Sequence, residues 1–274
     1  MTRSVLITGC SSGIGLDAVR TMKARGWRVI ATARTPEDLQ RLRTEEYVEA
    51  LHLELADPQS IATCAVAALE LTGGTLDAIF NNAGYGQPGA VEDVTPQLLR
   101  DQFEVNVIGT HDLTRRIIPA MRRNGSGRIV QCSSILGFTA VAYRGPYCAS
   151  KHALEALTTS MRLELIGTGI HVSLIEPGPI RSRFVENAMQ RFISNIDIEG
   201  SPHREAYHLR LESMRAGAQS IFKMEPAAVT KSLIHALESK RPWRRYYVTI
   251  PTYLAAIFKR VLPPFATEYF ARKF

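Results

Sequence analysis

Cysteine is scarce in this sequence, and the four that occur are far apart. Cys10, Cys64, Cys132 and Cys148 show neither the paired spacing of a zinc site nor the density of a disulfide framework. The sequence therefore predicts no bound metal. It also predicts reduced thiols, which are typical of a cytoplasmic protein.

Long apolar runs are also missing. The run that begins at Ser4 is far too short for a secretory signal peptide or a membrane-spanning helix. We therefore expect a cytoplasmic protein without an export signal. Since no internal repeat or low-complexity linker divides the 274 residues, the chain 1–274 is expected to form one domain.

Excess charge is absent from most of the chain. The formal net charge is +7, and residues 240–274 account for all of it with eight basic residues against one acidic residue. Residues 1–239 contain 25 residues of each sign. The excess positive charge therefore lies in a basic tail and does not form a basic face on the domain, so we predict no nucleic-acid partner.

Short β-rich segments alternate with helix-like stretches. This alternation predicts an α/β fold, a single doubly wound (Rossmann) domain whose seven-stranded parallel sheet has helices on both faces. The predicted strands are Val5–Thr8, Arg28–Ala33, Val48–Leu55, Leu76–Asn81, Arg128–Ser133, His171–Glu176 and Tyr246–Ile250. Helix starts, in which a capping residue precedes proline, are predicted at Thr35, Asp57, Thr95 and Glu225.

Residues 179–225 break this alternation. The segment is polar, contains Gly200-Ser201-Pro202 and is expected to be irregular. It follows the sixth predicted strand and therefore lies at the carboxyl edge of the sheet, where α/β folds bind their ligands. We expect a substrate lid over the ligand crevice, because long insertions in compact domains usually have such a role.

A glycine-rich segment joins the first predicted strand to the first helix. Gly9 allows a tight turn, Gly13 lets the backbone approach a pyrophosphate, and Gly15 allows close packing of helix on strand. The helix N-terminus then presents free N–H groups to the phosphates. This context predicts a dinucleotide site, with a purely structural turn as the alternative. The residues expected to bind the cofactor here are Thr8, Gly9, Ser11, Ser12, Gly13, Ile14 and Gly15.

The end of the second predicted strand bears on cofactor preference. An NAD enzyme would normally carry an acid here for the ribose 2′-hydroxyl, but this chain has Arg34. A guanidinium can make bidentate charged hydrogen bonds with a 2′-phosphate, so NADP(H) is predicted as the cofactor. The alternative is a solvated surface arginine, and with it a preference for NAD.

Tyr147 and Lys151 are four residues apart and therefore share one face of a helix that Pro146 can begin. A phenol has a pKa near about 10 and is a poor acid or base at neutral pH. A neighbouring ammonium and an oxidised nicotinamide would both lower that pKa. The pair is therefore a candidate for general acid–base catalysis.

Further motifs accompany the glycine loop and the tyrosine–lysine pair. They are Asn81-Asn82-Ala83-Gly84, Asn106 within Val105–Gly109, Ser134 and Pro177-Gly178. In their order and spacing over about residues 3 to 182, the sequence resembles the short-chain dehydrogenase/reductase family. Within it, the chain is similar to NADP-dependent aldehyde reductases and to 17β-hydroxysteroid and retinol dehydrogenase-like enzymes. This narrower likeness depends on Arg34, the segment Ile175–Pro179 and the long apolar C-terminus.

The resemblance implies four catalytic residues. Tyr147 would protonate the carbonyl oxygen as hydride arrives, and Ser134, thirteen residues earlier, would hydrogen-bond the same oxygen. Lys151 would lower the pKa of Tyr147 and bind the nicotinamide ribose hydroxyls. Asn106 would hold a water that connects Lys151 to solvent, unless it is only a helix-bending polar residue with a local backbone bond. Ser133 would face the other side of its strand.

The resemblance also assigns two turns to the cofactor. The turn after the fourth strand would line the adenosine side, and the turn after the sixth would close over the nicotinamide carboxamide. In each case an ordinary strand-ending turn is the alternative. The residues expected in these roles are Asn81, Ala83 and Gly84 in the first turn and Pro177, Gly178 and Ile180 in the second.

Two positions depart from the usual family pattern. Glu54 stands where many relatives have an aspartate against the adenine amino group, so Glu54 or the backbone of Leu55 is expected to serve. Ser182 stands where threonine is usual, and it keeps the hydroxyl that would contact the carboxamide.

The residues expected to touch substrate are mainly apolar. This composition favours a small apolar aldehyde, ketone, steroid-like alcohol or retinoid over a phosphorylated sugar. A non-catalytic NADP(H)-sensing protein is the alternative from another class, but the presence of all four catalytic residues argues against it. The expected contacts are Leu136, Gly137, Phe138, Val141, Tyr143 and parts of 179–225.

The C-terminal tail, residues 251–274, is predicted to be helical and apolar. Lys259-Arg260 and Pro263-Pro264 interrupt it, so it cannot span a bilayer. Packing over the substrate cleft or a neighbouring subunit is the favoured interpretation, and peripheral contact with an anionic membrane surface is the other.

Relatives commonly assemble through the helix that carries the catalytic tyrosine and the helix before it, so we expect a homodimer or homotetramer. Ala149, Ala153 and Ala156 fit close helix approach.

Overall fold

A seven-stranded parallel sheet forms the centre of the computed structural model, which describes residues 2–215 and 222–271. The strand order β3-β2-β1-β4-β5-β6-β7 confirms the predicted doubly wound fold. The strands are β1 (Ser4–Ile7), β2 (Arg28–Ala33), β3 (Glu49–His52), β4 (Ala78–Asn81), β5 (Gly127–Cys132), β6 (Ile170–Glu176) and β7 (Arg245–Tyr247).

Helices cover both faces of the sheet. Side chains alternate along each strand, so that Ile7 and Phe80 pack on α1, α2 and α9, whereas Leu6 and Ile79 pack on α3, α5 and α6. The helices in the described residues are α1 (Gly13–Ala24), α2 (Pro36–Thr44), α3 (Pro58–Leu71), α4 (Pro96–Phe103), α5 (Thr110–Asn124), α6 (Gly145–Glu164), α7 (Phe184–Asn195), α8 (Arg204–Arg215), α9 (Ala227–Glu238), α10 (Ile250–Val261) and α11 (Pro264–Ala271). A π-helical turn, Glu104–Gly109, joins α4 to α5, and a 3₁₀ turn, Ile135–Gly137, follows β5.

Three of the four predicted helix caps are confirmed. The side chains of Thr35, Asp57 and Thr95 each accept a hydrogen bond from a backbone N–H in the first turn of their helix. The prediction for Glu225 is wrong, because α9 begins at Ala227 without a side-chain cap. The Glu225 carboxylate is instead 2.6 Å from the Arg181 guanidinium, so an ion pair takes the place of the cap.

The segment 179–225 is not irregular, contrary to the prediction. It contains α7 and α8, which bury Phe192 and Tyr207 against each other with their ring centres 4.9 Å apart. The many polar residues of these helices obscure a single apolar face, so composition alone suggested a loop. Residues 216–221 of the predicted lid lie outside the described residues.

The seventh strand is shorter than predicted. It ends at Tyr247, and Ile250, which the sequence analysis placed in the strand, is the first residue of α10. The adjacent Pro251 lies in the first turn of that helix and was the signal for a helix start. A β-branched run, Val248–Ile250, outweighed this signal in the sequence analysis.

The fold creates a crevice where the strand order reverses between β1 and β4. In open α/β sheets, the loops at the carboxyl ends of the strands diverge on either side of this point and leave room for a ligand. The glycine loop after β1 and the turn after β4 border it directly.

Candidate active site

The glycine loop is tied to the neighbouring strands by buried hydrogen bonds. The Thr8 hydroxyl accepts from the backbone N–H groups of Asn82 and Ala83, both at 2.9 Å. Asn82 Nδ2 donates to the Thr8 carbonyl oxygen at 3.0 Å, and Cys10 N donates to Thr32 O at 2.9 Å. Thr8 is therefore an organiser of the loop, and Asn82, to which no individual role was given, shares this function.

Close backbone packing explains the glycines of this loop. A Cβ on Gly15 would lie 2.1 Å from the Gly9 carbonyl oxygen, and one on Gly9, whose φ is +71°, would lie 2.9 Å from Ala83 Cα. Gly13 also has a positive φ of +56°, and its Cβ would lie 2.9 Å from Ser182 Cβ. The loop is thus a cradle formed by backbone alone.

The N-terminus of α1 suits an anionic ligand. Ser12 occupies the cap position but makes no side-chain cap hydrogen bond, unlike the capping residues of α2, α3 and α4. No acidic side chain lies in the first turn of α1. The first-turn N–H groups, including those of Gly13, Ile14 and Gly15, can therefore bind phosphate oxygens, and the residues fit a dinucleotide pyrophosphate.

Replacing Gly15 by alanine should lower the free energy of unfolding by about 1–3 kcal/mol, because the new methyl group must displace the Gly9 carbonyl. Urea unfolding measures this change. Ser12→Ala is the matched control, because its side chain makes no cap bond that stability could lose. Equal stability of Gly15→Ala and wild type would show that the loop is not packed as described.

Two arginines flank the glycine loop. Arg34 follows β2, with 65% of its side chain exposed and its guanidinium 3.9 Å from the Glu54 carboxylate. Arg41 on α2 donates from Nη2 to the Ser11 carbonyl oxygen at 2.6 Å and to Asp38 Oδ1 at 2.7 Å. The sequence analysis missed Arg41, whose spacing from Asp38 indicates only a surface ion pair.

The other residues predicted for the adenosine side lie in different surroundings: Glu54 and Leu55 contact neighbouring backbone, whereas the Asn81 side chain bonds α5. Glu54 Oε1 accepts from Ala56 N at 3.1 Å, and the Leu55 carbonyl packs against Gly109, where a Cβ would lie 1.9 Å from its oxygen. Asn81 is buried and donates from Nδ2 to Thr114 Oγ1 of α5 at 2.8 Å. The Asn81 side chain therefore points toward α5, and its carboxamide oxygen is buried without a hydrogen-bond partner.

Asn106 lies in the π-helical turn and links three elements. Its Nδ2 donates to Tyr85 O at 2.9 Å and to Ser150 Oγ at 3.1 Å, and its Oδ1 accepts from Tyr85 N at 3.1 Å. These partners belong to the loop after β4 and to α6, so the side chain is not merely bonded to its own helix. A π-turn widens the helix locally and is frequent at functional sites.

Ser134, Tyr147 and Lys151 converge at the carboxyl end of β5. The Ser134 hydroxyl caps the 3₁₀ turn by accepting from Leu136 N at 3.1 Å, and it favours the phenolate of Tyr147 against the effect of burial. Lys151 Nζ donates to Cys132 O at 2.7 Å and lies 5.8 Å from the centre of the Tyr147 ring. The fold thus brings the predicted catalytic residues together.

Gly84 joins this group to the cofactor crevice. A Cβ on Gly84 would lie 3.1 Å from Asn106 Oδ1 and 3.8 Å from Lys151 Nζ. The turn after β4, which the resemblance assigns to the cofactor, therefore runs directly past the Lys151 ammonium.

Burial dominates the proton affinities of the pair. It raises the pKa of Tyr147, and the Ser134 hydrogen bond and the charge of Arg144 oppose that shift only in part. Burial also lowers the pKa of Lys151, while Cys132 and Glu155 act in the opposite direction. The expected lowering of the Tyr147 pKa does not arise from the chain alone, which instead keeps the phenol protonated and able to donate a proton.

The turn after β6 spans from Ser134 to the glycine loop. Ile135 N donates to Pro177 O at 2.8 Å, and a Cβ on Gly178 would lie 2.1 Å from Thr249 Oγ1. Ile180 is buried in this turn, and Ser182 lies beside Gly13, where it accepts a long hydrogen bond of 3.4 Å from Phe184 N. The buried residues Thr249 and Thr252 support Gly178, and their hydroxyl oxygens are 2.9 Å apart. Thr249 was assigned to the seventh strand and Thr252 to the C-terminal tail, so neither was predicted to have this role.

An apolar wall surrounds the Tyr147 hydroxyl side of the crevice. Leu136, Val141 and Cys148 pack around Tyr147, and the ring of Phe184 from α7 lies 5.4 Å from the Tyr147 ring. Leu136 and Val141 were predicted by name, whereas Phe184 lies in the predicted lid segment 179–225 but was not singled out, because no motif marks the first residue of α7.

The other expected substrate contacts lie further away. Phe138 packs on Tyr247 with ring centres 5.8 Å apart, and Tyr143 packs on His203 and Tyr207 of the lid segment at 5.4 and 5.6 Å. Gly137 lies over the carboxylate of Glu155, which would be 2.3 Å from a Cβ at this position. These residues support the site and are not grouped with the wall around Tyr147.

Helix α7 contacts the loop that follows β4. The Arg191 guanidinium stacks over the Tyr85 ring at 3.7 Å, and Asn195 Nδ2 donates to Gln87 Oε1 at 2.8 Å. Together with Phe184, these contacts place α7 against Tyr147 and the loop after β4, and the lid role of this segment stays a prediction.

Helix α10 packs beside the same end of the crevice. Its buried residues include Thr252 and Ala256, and Lys259 Nζ donates to Phe138 O at 2.6 Å. Its opposite face exposes apolar side chains, among them Leu254 and Ile257. Within the described ranges, no helix has the length and apolar character needed to cross a membrane.

Comparisons with known proteins agree with this geometry. The family model described as short chain dehydrogenase matches residues 3–191. The chain is 40% identical to the uncharacterized oxidoreductase YbbO of Escherichia coli over 263 residues, which cover 96% of this chain and 91% of that protein. It is 32% identical to human 17-beta-hydroxysteroid dehydrogenase type 1, with 97% and 83% of the two chains covered.

A solved structure extends the likeness to the whole fold. Actinorhodin polyketide ketoreductase, in a variant crystallised with NADPH, superposes with a TM-score of 0.74 at 27% identity, covering 90% of this chain and 95% of that one. The family model, these relatives and the shared fold all lead to one assignment. The chain belongs to the short-chain dehydrogenase/reductase family of oxidoreductases.

Proposed function

We propose that this chain is an NADP(H)-dependent reductase of small apolar aldehydes and ketones, or a dehydrogenase of the matching alcohols. The observation that carries the proposal is the convergence of Ser134, Tyr147 and Lys151 beside a backbone cradle for a dinucleotide. When bound, the nicotinamide supplies or accepts the hydride.

Each catalytic side chain has a role that its surroundings support. Tyr147, kept protonated by burial, donates its proton to the carbonyl oxygen of the substrate. Ser134 hydrogen-bonds the same oxygen and stabilises the charge that develops on it. The Lys151 ammonium lowers the cost of forming the Tyr147 phenolate, and Asn106 holds the loop after β4 against α6 so that a water can connect Lys151 to solvent.

The preference for NADP(H) is supported by charge. Arg34 stands at the end of β2 with an exposed guanidinium, and Arg41 adds a second positive group beside Ser11. A 2′-phosphate is recognised well by such groups because each can form charge-assisted hydrogen bonds. Glu54 carries the negative charge that pairs with Arg34, at 3.9 Å. An exposed ion pair of this length is weak, so a 2′-phosphate can replace the Glu54 carboxylate as the partner of Arg34.

The proposed substrate class follows from the wall around Tyr147. Leu136, Val141 and Phe184 offer carbon surfaces and no charge to a bound carbonyl compound. The names of two relatives, 17-beta-hydroxysteroid dehydrogenase type 1 and retinol dehydrogenase 8, refer to apolar alcohols. We therefore place the substrate among apolar aldehydes, ketones, steroids and retinoids.

Comparing the turnover of an apolar ketone with that of a polar ketone of similar size tests whether the substrates are apolar carbonyl compounds or sugars. We expect kcat/KM with NADPH to be about 10²-fold or more higher for cyclohexanone derivatives than for a phosphorylated ketose, because the wall cannot satisfy buried polar groups. Steady-state oxidation of NADPH measures both rates. Faster turnover of the phosphorylated sugar would reject the proposed substrate class.

Assembly and location complete the proposal. Ala149 and Ala156 are exposed on α6 and Ala153 lies between them, so this helix can approach a second copy closely, and we propose a homodimer or homotetramer through α5 and α6. We propose a cytoplasmic enzyme in which α10 packs over the substrate end of the crevice. Peripheral contact of the tail with an anionic membrane is the less favoured interpretation.

A further inference from the structure

A cluster of buried charges lies directly beneath the catalytic residues. Arg245 Nη1 of β7 donates to Glu155 Oε2 at 2.8 Å and also contacts the Glu176 carboxylate. The Ser133 hydroxyl donates to Glu155 Oε1 at 2.8 Å. Both glutamates are at most 5% exposed, whereas 32% of the Arg245 side chain is exposed, so the cluster reaches from the interior to the surface.

Three members of this cluster adjoin a residue of the site. Ser133 immediately precedes Ser134, and Glu176 immediately precedes the Pro177-Gly178 turn. Glu155 lies one turn after Lys151 on α6 and therefore on the same helix face as Lys151. The cluster is thus connected to the serine, to the lysine and to the nicotinamide-side turn.

Glu155 also supports the substrate side of the site. A Cβ on Gly137 would lie 2.3 Å from both Glu155 Oε1 and Ser133 Oγ. The 3₁₀ turn that Ser134 caps therefore lies in direct contact with this carboxylate and its partner. Any movement of Glu155 would be transmitted to that turn.

The charges in the cluster are unequal. Burial and the neighbouring Glu155 raise the pKa of Glu176 to about 9, so Glu176 holds a proton at neutral pH. Both carboxyl groups contact the same guanidinium, that of Arg245. They also act electrostatically on Arg162 of α6 and on Tyr247 of β7.

The groups that face Lys151 come from several elements. β5 contributes the Cys132 carbonyl and thiol, the turn after β4 contributes Gly84, the π-helical turn contributes Asn106, and α6 contributes Tyr147. Glu155 is the carboxylate whose charge raises the pKa of Lys151 and opposes the effect of burial. It therefore favours the ammonium form together with Cys132.

We propose that Glu155 is a positioning residue for the reaction: held by Ser133 and Arg245, its carboxylate fixes the turn that carries Ser134 and lies one helix turn from Lys151. This inference rests on the proposed function, since it assigns a role within the same site. Glu176 completes the cluster as a neutral acid and does not share this role.

The test compares the pH dependence of kcat/KM for carbonyl reduction in Glu155→Gln and Glu176→Gln. Removing the negative charge of Glu155 lowers the pKa of Lys151 and that of the Tyr147 phenol. The alkaline limb of the kcat/KM profile should therefore move down by about one pH unit. Glu176→Gln replaces a neutral acid by a neutral amide and should leave the limb in place. Glu164→Gln on the exposed side of the same helix is the surface control.

A purely structural role gives a different pattern. It predicts lower stability and lower activity in both buried variants, with the alkaline limb unmoved in each. An unmoved limb in Glu155→Gln, or an equal shift in Glu176→Gln, would overturn the inference. Absence of turnover in the wild type with every carbonyl compound would instead reject the proposed function, so the two failures are distinguishable.

A double variant guards against misfolding. Glu155→Gln leaves Arg245 without its ionised partner, and an unpaired buried charge can prevent folding. Combining it with Arg245→Gln removes both charges together, and replacing a whole buried pair is often tolerated. The downward shift of the alkaline limb should persist in this double variant. Glu155 lies on the same face of α6 as Lys151, whereas Arg245 lies on β7. A wild-type limb in this double variant would equally overturn the inference.

Discussion

Replacing Tyr147 by phenylalanine is expected to lower kcat/KM for carbonyl reduction by about 10²- to 10⁴-fold, the range that a positioned general acid contributes. The phenyl ring keeps the contacts with Leu136 and Phe184 but has no proton to donate to the carbonyl oxygen. Binding of NADPH should change little, because the glycine loop and Arg34 do not depend on this hydroxyl. Steady-state kinetics and a fluorescence titration measure the two effects separately.

The control for this prediction is Tyr253→Phe. Tyr253 lies on α10 and is half exposed, so loss of its hydroxyl should leave turnover unchanged. Undiminished reduction by Tyr147→Phe would show that another group supplies the proton, and the proposed mechanism would be wrong.

Arg34→Gln should weaken NADPH binding about 10- to 100-fold, because a hydrogen bond to a charged group contributes about 1.5–3 kcal/mol. Glutamine keeps much of the side-chain length but has no positive charge for the 2′-phosphate. Binding of NADH, which has no such phosphate, should be unchanged. Fluorescence titration of both cofactors into each protein measures the ratio of the two dissociation constants.

Arg20→Gln is the matched control, because Arg20 is similarly exposed on α1 and its ion-pair partner in the described part of the chain is Glu46. It should retain the wild-type preference. Arg41→Gln should reduce the preference less than Arg34→Gln does, since Arg41 is already bonded to Ser11 and Asp38. A wild-type preference for NADH, or an unchanged preference in Arg34→Gln, would overturn the choice of NADP(H).

The sequence was most informative where a motif and a strand end coincide. Thr8–Gly15 and Ser134 directly follow strands whose apolar runs are clear in the sequence, and Tyr147 lies in the first turn of the helix after β5. The fold and the grouping of these residues could therefore both be predicted. Parallel strands bring their carboxyl ends to one edge, and this rule alone places these motifs together.

Contacts between distant segments could not be predicted in this way. Phe184, Arg191 and Thr249 reach the site from α7 and from the start of α10, where no motif marks a role. Their importance depends on how these helices pack, which local periodicity does not define. The same is true of Arg41, whose partner Ser11 is thirty residues away.

The buried charges illustrate a second limit. In the sequence, Glu155 and Arg245 look like ordinary surface residues. Charged side chains are seldom buried without a partner, and the sequence does not show which residues are paired. Only the pairing of β6 with β7 brings Arg245 between the two glutamates. Burial and its consequences for pKa therefore emerge from the tertiary structure alone.

The most direct test of the central claim is a single-turnover reaction of the wild-type protein with NADPH that carries deuterium at the transferred position. An apolar ketone is the acceptor, and the alcohol product is analysed by mass spectrometry and NMR. The account predicts deuterium on the carbinol carbon with the wild type and strongly reduced transfer with Tyr147→Phe. Tight NADPH binding without label transfer to any carbonyl compound would contradict it, and would leave a nucleotide-binding protein without the proposed chemistry.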